Sequence, residues 1–157
     1  MRQFLFLISA LSLLILASCN KDEDSKSAAG SELIFGHFYG ECFGETCVET
    51  YKLNDVALFE DIEDGYAGSG PFDFEQLSVE QFQIADGLKD ELPGELLLAE
   101  DQTFGCPDCG DWGGVFIQWT DAGTTQTWLA DMENSSNPDY LQDFVDNIIE
   151  TIRLINQ

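Results

Sequence analysis

The C-terminal stretch constrains the fold more than any other part of this chain. Tyr140, Leu141, Phe144, Val145, Ile148, Ile149 and Ile152 recur at the spacing of one helical face, while Asp139, Asp143, Asp146, Asn147 and Glu150 fill the other. Asn137 is expected to cap this helix. Pro138 stands at its first position, where a missing N–H costs no hydrogen bond. Each fully buried side chain on the stripe contributes about 1.5–3 kcal/mol, so the helix has to lie against a surface. Its acidic polar face argues against an anionic membrane. The stripe is therefore expected to be core.

Strands for it to cover are legible upstream. Leu33–Tyr39 and Val48–Leu53 read as strands around the turn at Phe43-Gly44-Glu45, and Asn54-Asp55 turns the chain into Val56–Glu60. Residues 61–70 read as a loop with Gly65, Gly68 and Gly70. Ser78 followed by Gln81 predicts a capping box and a helix to about Glu91, stopped before Pro93 and Gly94. A hairpin follows, Val115–Thr120 and Thr125–Asp131, turning at Asp121-Ala122-Gly123-Thr124. Pairing Thr120 with Thr125 puts Ile117 opposite Trp128 and Trp119 opposite Gln126. Both tryptophans then share one apolar face with Val115, Ile117 and Ala130, which is expected to receive a helix. A sugar-binding aromatic platform is the alternative use of that face. The expectation is one α+β domain over residues 32–157: an antiparallel sheet of about five strands, meander plus hairpin, with two helices packed on it in the order βββ-α-ββ-α.

The N-terminus carries an address. Arg2 precedes an apolar run, Phe4 to Ala17, as long as a signal h-region and short of the ~20 residues of a spanning helix. The run closes on Leu16-Ala17-Ser18-Cys19, which resembles the lipobox of bacterial lipoproteins. That resemblance implies that residues 1–18 are a signal peptide and that Cys19 becomes a lipidated N-terminus carrying diacylglycerol and an N-acyl chain. Residues 20–31 contain nothing apolar larger than Ala, so they read as a flexible tether. Cys19-Asn20-Lys21-Asp22-Glu23 resembles the acidic signal that sends some Gram-negative lipoproteins to the outer face of the outer membrane. An ordinary polar spacer, facing the periplasm, is the alternative.

Charge narrows the partners. The chain holds 30 acidic and 6 basic residues; three of each precede residue 32, which leaves the domain 27 against 3 and a net charge of −24. Such a surface repels nucleic acid and anionic lipid headgroups, and suits solubility alone, the attraction of cations such as calcium, or a basic protein partner.

Four cysteines remain beyond Cys19, as Cys42-x₄-Cys47 and Cys106-Pro107-Asp108-Cys109. An even number in an exported domain points to disulfides, with three connectivities open and the two local bridges simplest. Two alternatives stand beside this. The four could form a Cys₄ zinc site, although no metal or other cofactor is the expectation. Cys106 and Cys109 could instead exchange disulfides, but Gly110-Asp111-Trp112-Gly113-Gly114 leads into a strand, not the helix N-terminus that lowers a thiol pKa. Structural bridges should lie buried away from any cleft, whereas a redox pair should be exposed and easily reduced.

His37, the one histidine, lies among Phe35, Phe38 and Tyr39 and reads as structural. No Gly-x-Ser-x-Gly elbow is present. Glu60–Gly65 has the acidity of a calcium loop, but with Gly65 as the sixth position the third is Ile62 and the twelfth Pro71, which breaks the EF-hand pattern. The Cys-Phe-Gly-x-x-Cys turn, the middle helix and the hairpin leading to Asn137-Pro138-Asp139-Tyr140-Leu141 resemble small lipoprotein domains of uncharacterised role. The same order is similar to emfourin-type metalloprotease inhibitors. These features together lead to a surface-anchored, non-enzymatic interaction module, attached to the membrane by lipid and meeting a protein partner. The alternatives are a thiol–disulfide accessory enzyme using Cys106 and Cys109, and a protease-inhibitor-like domain.

Overall fold

A computed structural model describes residues 30–157; the expected signal peptide 1–18, Cys19 and nearly all of the expected tether lie outside the described residues. The strands are β1 (Glu32–Phe38), β2 (Val48–Leu53), β3 (Leu58–Asp61), β4 (Phe74–Gln76), β5 (Gln102–Thr103), β6 (Gly114–Asp121) and β7 (Thr124–Asp131). The helices are α1 (Val79–Ala85) and α2 (Asp139–Ile155). One seven-stranded sheet runs β4-β3-β2-β1-β6-β7-β5. It is antiparallel throughout except where β5 pairs in parallel with β7.

The α+β class stands, but the sheet is larger than about five strands and mixed. Its two additional strands are short edges. β5 exists because the segment before β6 is strapped along β7: Gln126 Nε2 donates to the Ala99 carbonyl at 2.9 Å, Trp128 Nε1 to the Glu100 carbonyl at 3.2 Å, and Thr127 N–H to Asp101 Oδ1 at 2.9 Å. The strap covers backbone that an open edge would present for pairing. The third strand starts at Leu58 instead of Val56, because Asn54 Oδ1 accepts from both Val56 N and Ala57 N and holds a turn there.

The middle helix begins as the sequence predicts. Ser78 and Gln81 form the full capping box. The α-helix ends at Ala85, however, and a 3-10 turn over Leu88–Glu91 takes its place. Gly87, a poor helix former, separates the two and lets Leu88 turn into the core.

At α2 the N-cap is Pro138, with no side-chain cap bond, so Asn137 is not the cap. Asn137 is buried: its Nδ2 donates to the Asp131 carbonyl at 2.8 Å and its Oδ1 accepts from Asp131 N–H at 3.1 Å. The residue fastens the end of β7 to the start of the helix. Leu141, Phe144, Val145, Ile148 and Ile152 are buried against Leu33, Phe35, Tyr51, Ile117 and Trp128. The hairpin register places Ile117 opposite Trp128 and Trp119 opposite Gln126. Trp128 is wholly buried and Trp119 packs partly against the same core, so this face receives the helices.

The opposite face carries a smaller core, Ile34, Phe38 and Phe116, over which residues 62–73 fold. Gly68 permits this. Its φ is +68°, and a Cβ there would stand 2.3 Å from the Phe116 ring. Asp61 ties the loop down, its Oδ1 accepting from Asp73 N–H at 2.7 Å, while its Oδ2 is buried with no partner among the described residues. Asp61→Ala is therefore expected to cost about 1–3 kcal/mol. Asp61→Asn retains the accepting oxygen, removes a poorly compensated buried charge, and is expected to unfold at the wild-type temperature or above it. Thermal denaturation of both variants checks the pair.

Candidate functional site

Strand pairing decides which loops meet. β1 enters at Glu32 opposite Thr120 and leaves at Phe38 opposite both Val48 and Gly114. Asp61 pairs with Phe74, and Gly114 with Asp131. The start of β1 at Glu32 therefore lies at one pole of the sheet, alongside the turn at 54–57 and the hairpin tip at 122–123. Lys89 holds that entry point, donating to the Ser31 carbonyl at 2.7 Å and pairing with the Asp55 carboxylate. Loops 39–47, 62–73 and 104–113 gather at the other pole, about 20 Å away at ~3.3 Å per strand residue.

Every aromatic residue exposed among the described residues is at that second pole: Phe43 (100 %), Trp112 (71 %) and Tyr66 (45 %). Scattered aliphatic exposure needs no explanation; aromatic exposure confined to three adjoining loops does. The loops are also fixed. Cys42 and Cys47 form a disulfide with Cα atoms 5.6 Å apart. Tyr39 N–H donates to the Cys47 carbonyl at 2.9 Å, and His37 Nε2 donates to the Thr46 carbonyl at 3.1 Å. The lone histidine is thus a pin for the Phe43 loop.

The Trp112 loop is held more tightly. Cys106 and Cys109 are bridged, their Cα atoms 5.4 Å apart. The buried Asp131 accepts from Cys106 N–H at 2.9 Å and from Glu133 N–H at 2.8 Å. Asp108 accepts from Gly113 N–H at 3.1 Å and from the Tyr66 hydroxyl at 2.6 Å, joining two of the loops. Gly113 has φ +82°, and a Cβ there would stand 2.5 Å from the Tyr39 ring, so the close approach requires glycine.

The bond to Asp108 pushes the Tyr66 phenol up to about 12, with partial desolvation and the Asp108 charge acting the same way. The folded protein holds that proton more tightly than the unfolded chain. Stability from this contact is complete below the ordinary phenol pKa of 10.0 and disappears as pH rises toward 12. Asp108→Asn is expected to bring the Tyr66 titration, followed by phenolate absorbance, back toward the ordinary value. A titration unmoved by that change would show that the hydrogen bond is not its cause.

Among the described residues, no group of three or more His, Cys, Asp or Glu side chains could hold a metal ion. The four cysteines pair locally and do not assemble into a Cys₄ cluster. Cys47 is buried, but Cys42, Cys106 and Cys109 are exposed, so the expectation of buried bridges is met only at Cys47. Tyr51, deep in the core, has its hydroxyl 2.7 Å from Glu49 Oε2 and 2.9 Å from Asn156 Oδ1. Burial and the Glu49 contact raise its phenol far above the ordinary value. This network locks the end of α2 to the sheet. Depressions of about 190 Å³ between α1 and α2 and about 170 Å³ beside Lys89 fall below the ~300 Å³ at which small-molecule sites begin.

Phe43, Tyr66 and Trp112 were not among the site residues expected from sequence. The available signal was aromatic residues set among glycine and acid in turn segments, Cys42-Phe43-Gly44, Gly65-Tyr66 and Asp111-Trp112-Gly113. No protein-family model matches the chain, and no curated protein matches it significantly.

Proposed function

We propose that this chain is a lipid-anchored protein of the bacterial envelope that acts by binding another protein through the pole bearing Phe43, Tyr66 and Trp112. The observation that carries the reading is polarity: the exposed aromatics stand at the end of the sheet opposite Glu32, where the segment leading back to Cys19 joins. Several acyl chains on Cys19 make attachment effectively permanent. The aromatic pole is therefore the end of the domain remote from the point at which such a tether would attach. Fixed loops suit such a role, because little ordering remains to be done on binding.

Cys19→Ala is expected to leave an unprocessed precursor that incorporates no labelled fatty acid. Normal processing and labelling of that variant would contradict the lipoprotein reading. Protease added to intact cells is expected to remove the domain, and joint replacement of Lys21, Asp22 and Glu23 by Ala to protect it. A protected wild type would instead place the domain inside the envelope.

The exposure of Cys106 and Cys109 supports a second reading, a thiol–disulfide exchange site. Two features oppose it. Neither cysteine opens a helix, since the chain runs from Cys109 through a turn into β6, and Asp131 and Asp108 bring carboxylates to the loop, which disfavours a thiolate. Exchange of the mildly reduced protein with a test disulfide, lost in Cys106→Ser, would favour this reading over binding.

A further inference from the structure

We infer that the aromatic pole takes a basic polypeptide segment, rich in arginine or lysine, from its partner. The inference rests on the reading of this pole as a contact surface and adds the chemistry of what it contacts. Loops 39–47, 62–73 and 104–113 contain no Lys or Arg. The domain's three cations lie elsewhere: Lys89 at the tether pole, Lys52 opposite Ile34 with its ammonium over the rings of Phe59 and Phe74, and Arg153 bound to Glu150. The same three loops carry the exposed carboxylates Glu41, Glu63 and Asp111.

Carboxylates only accept hydrogen bonds, whereas guanidinium and ammonium groups only donate them. Aromatic faces attract the same cations. One ligand chemistry therefore satisfies both components of the surface. The carboxylates offer a sugar only acceptors, so its hydroxyl oxygens would find donors only in the Trp112 indole N–H and in the Thr46 and Ser69 hydroxyls. An anionic membrane is repelled by them. Acidic attraction should govern encounter, and the aromatic contacts should govern how long the complex lasts.

The test uses the full chain in detergent and an amidated nona-arginine peptide, with affinity measured by fluorescence anisotropy. Binding is expected at about 50 mM salt and is expected to weaken strongly by about 300 mM. Phe43→Ala and Trp112→Ala are each expected to weaken it about tenfold, as aromatic anchors do, without lowering the unfolding temperature. Leu98→Ala, 88 % exposed on the strap along β7, is expected to bind as wild type. Joint Glu41→Gln and Asp111→Asn replacement should flatten the salt dependence.

Wild-type affinity in both aromatic variants would reduce the effect to diffuse charge and overturn the inference, as would soluble starch binding in preference to the peptide. Cross-linking at position 112 in intact cells keeps the two claims separate. A discrete adduct there with no peptide binding leaves the contact surface standing and removes only the basic segment.

Discussion

Trp128→Ala should cost about 3–5 kcal/mol, a large share of the ~5–15 kcal/mol by which domains of this size are stable. Trp128 is wholly buried and is the largest such side chain, set opposite Ile117 in the core beneath α2. Its truncation opens a cavity and also frees the Glu100 carbonyl, which its indole N–H bonds at 3.2 Å. The strap that makes β5 should loosen with it. Denaturant unfolding measures the loss, and proteolysis between residues 96 and 103 reports the strap. Trp128→Phe, which keeps the aromatic volume and loses the N–H, should cost markedly less. Equal losses in the two variants would show that the strap bond, not the packing, dominates.

Asp131→Ala ranks next. One buried carboxylate accepts from two backbone N–H groups, those of Cys106 and Glu133, and both would be left without it. Charge-assisted bonds of this kind contribute about 1.5–3 kcal/mol each and are not additive. A loss of about 2–4 kcal/mol is expected on that scale. The variant should also uncouple stability from binding. At a temperature where it remains folded, the Trp112 loop is no longer fixed, so nona-arginine affinity should fall although no contact residue has changed. Retained affinity in the folded variant would mean that loop fixation contributes little.

The parts of the fold legible in the sequence are those set by local chemistry. The α2 stripe, the Ser78–Gln81 box and the β6–β7 register each follow from a few neighbouring residues. The register follows from a two-residue turn, Ala122-Gly123, whose positive φ values of +49° and +81° match the twist of a hairpin. β4 and β5 were not legible, because neither carries an apolar alternation of its own. Gln102 and Thr103 are both exposed, and the segment before them is held on β7 by the Gln126 and Trp128 side chains and by the Asp101 carboxylate accepting from Thr127 N–H. Asn137 has the composition of a cap, but the Asp131 backbone claims its amide.

The candidate surface was hidden for a related reason. An aromatic residue is by default assigned to the core, and nothing local distinguishes Phe43 or Trp112 from Phe104, which is buried. Their exposure follows from antiparallel pairing, which brings distant loops to one pole, and from the two disulfides and Asp131, which fix those loops there. The cysteine pairs were visible as chemistry. Their place on the same loops as the exposed aromatics, at one pole of the sheet, was not.

The claim on which the rest depends is that this protein meets its partner through the pole opposite its tether. A photoreactive phenylalanine analogue at position 43 or 112 of the full chain, irradiated in intact cells, tests it most directly against the same analogue at position 98. Discrete adducts are expected from 43 and 112, diminished by added nona-arginine, and none from 98. Adducts of the same kind from 98, or none from either aromatic position, would contradict it.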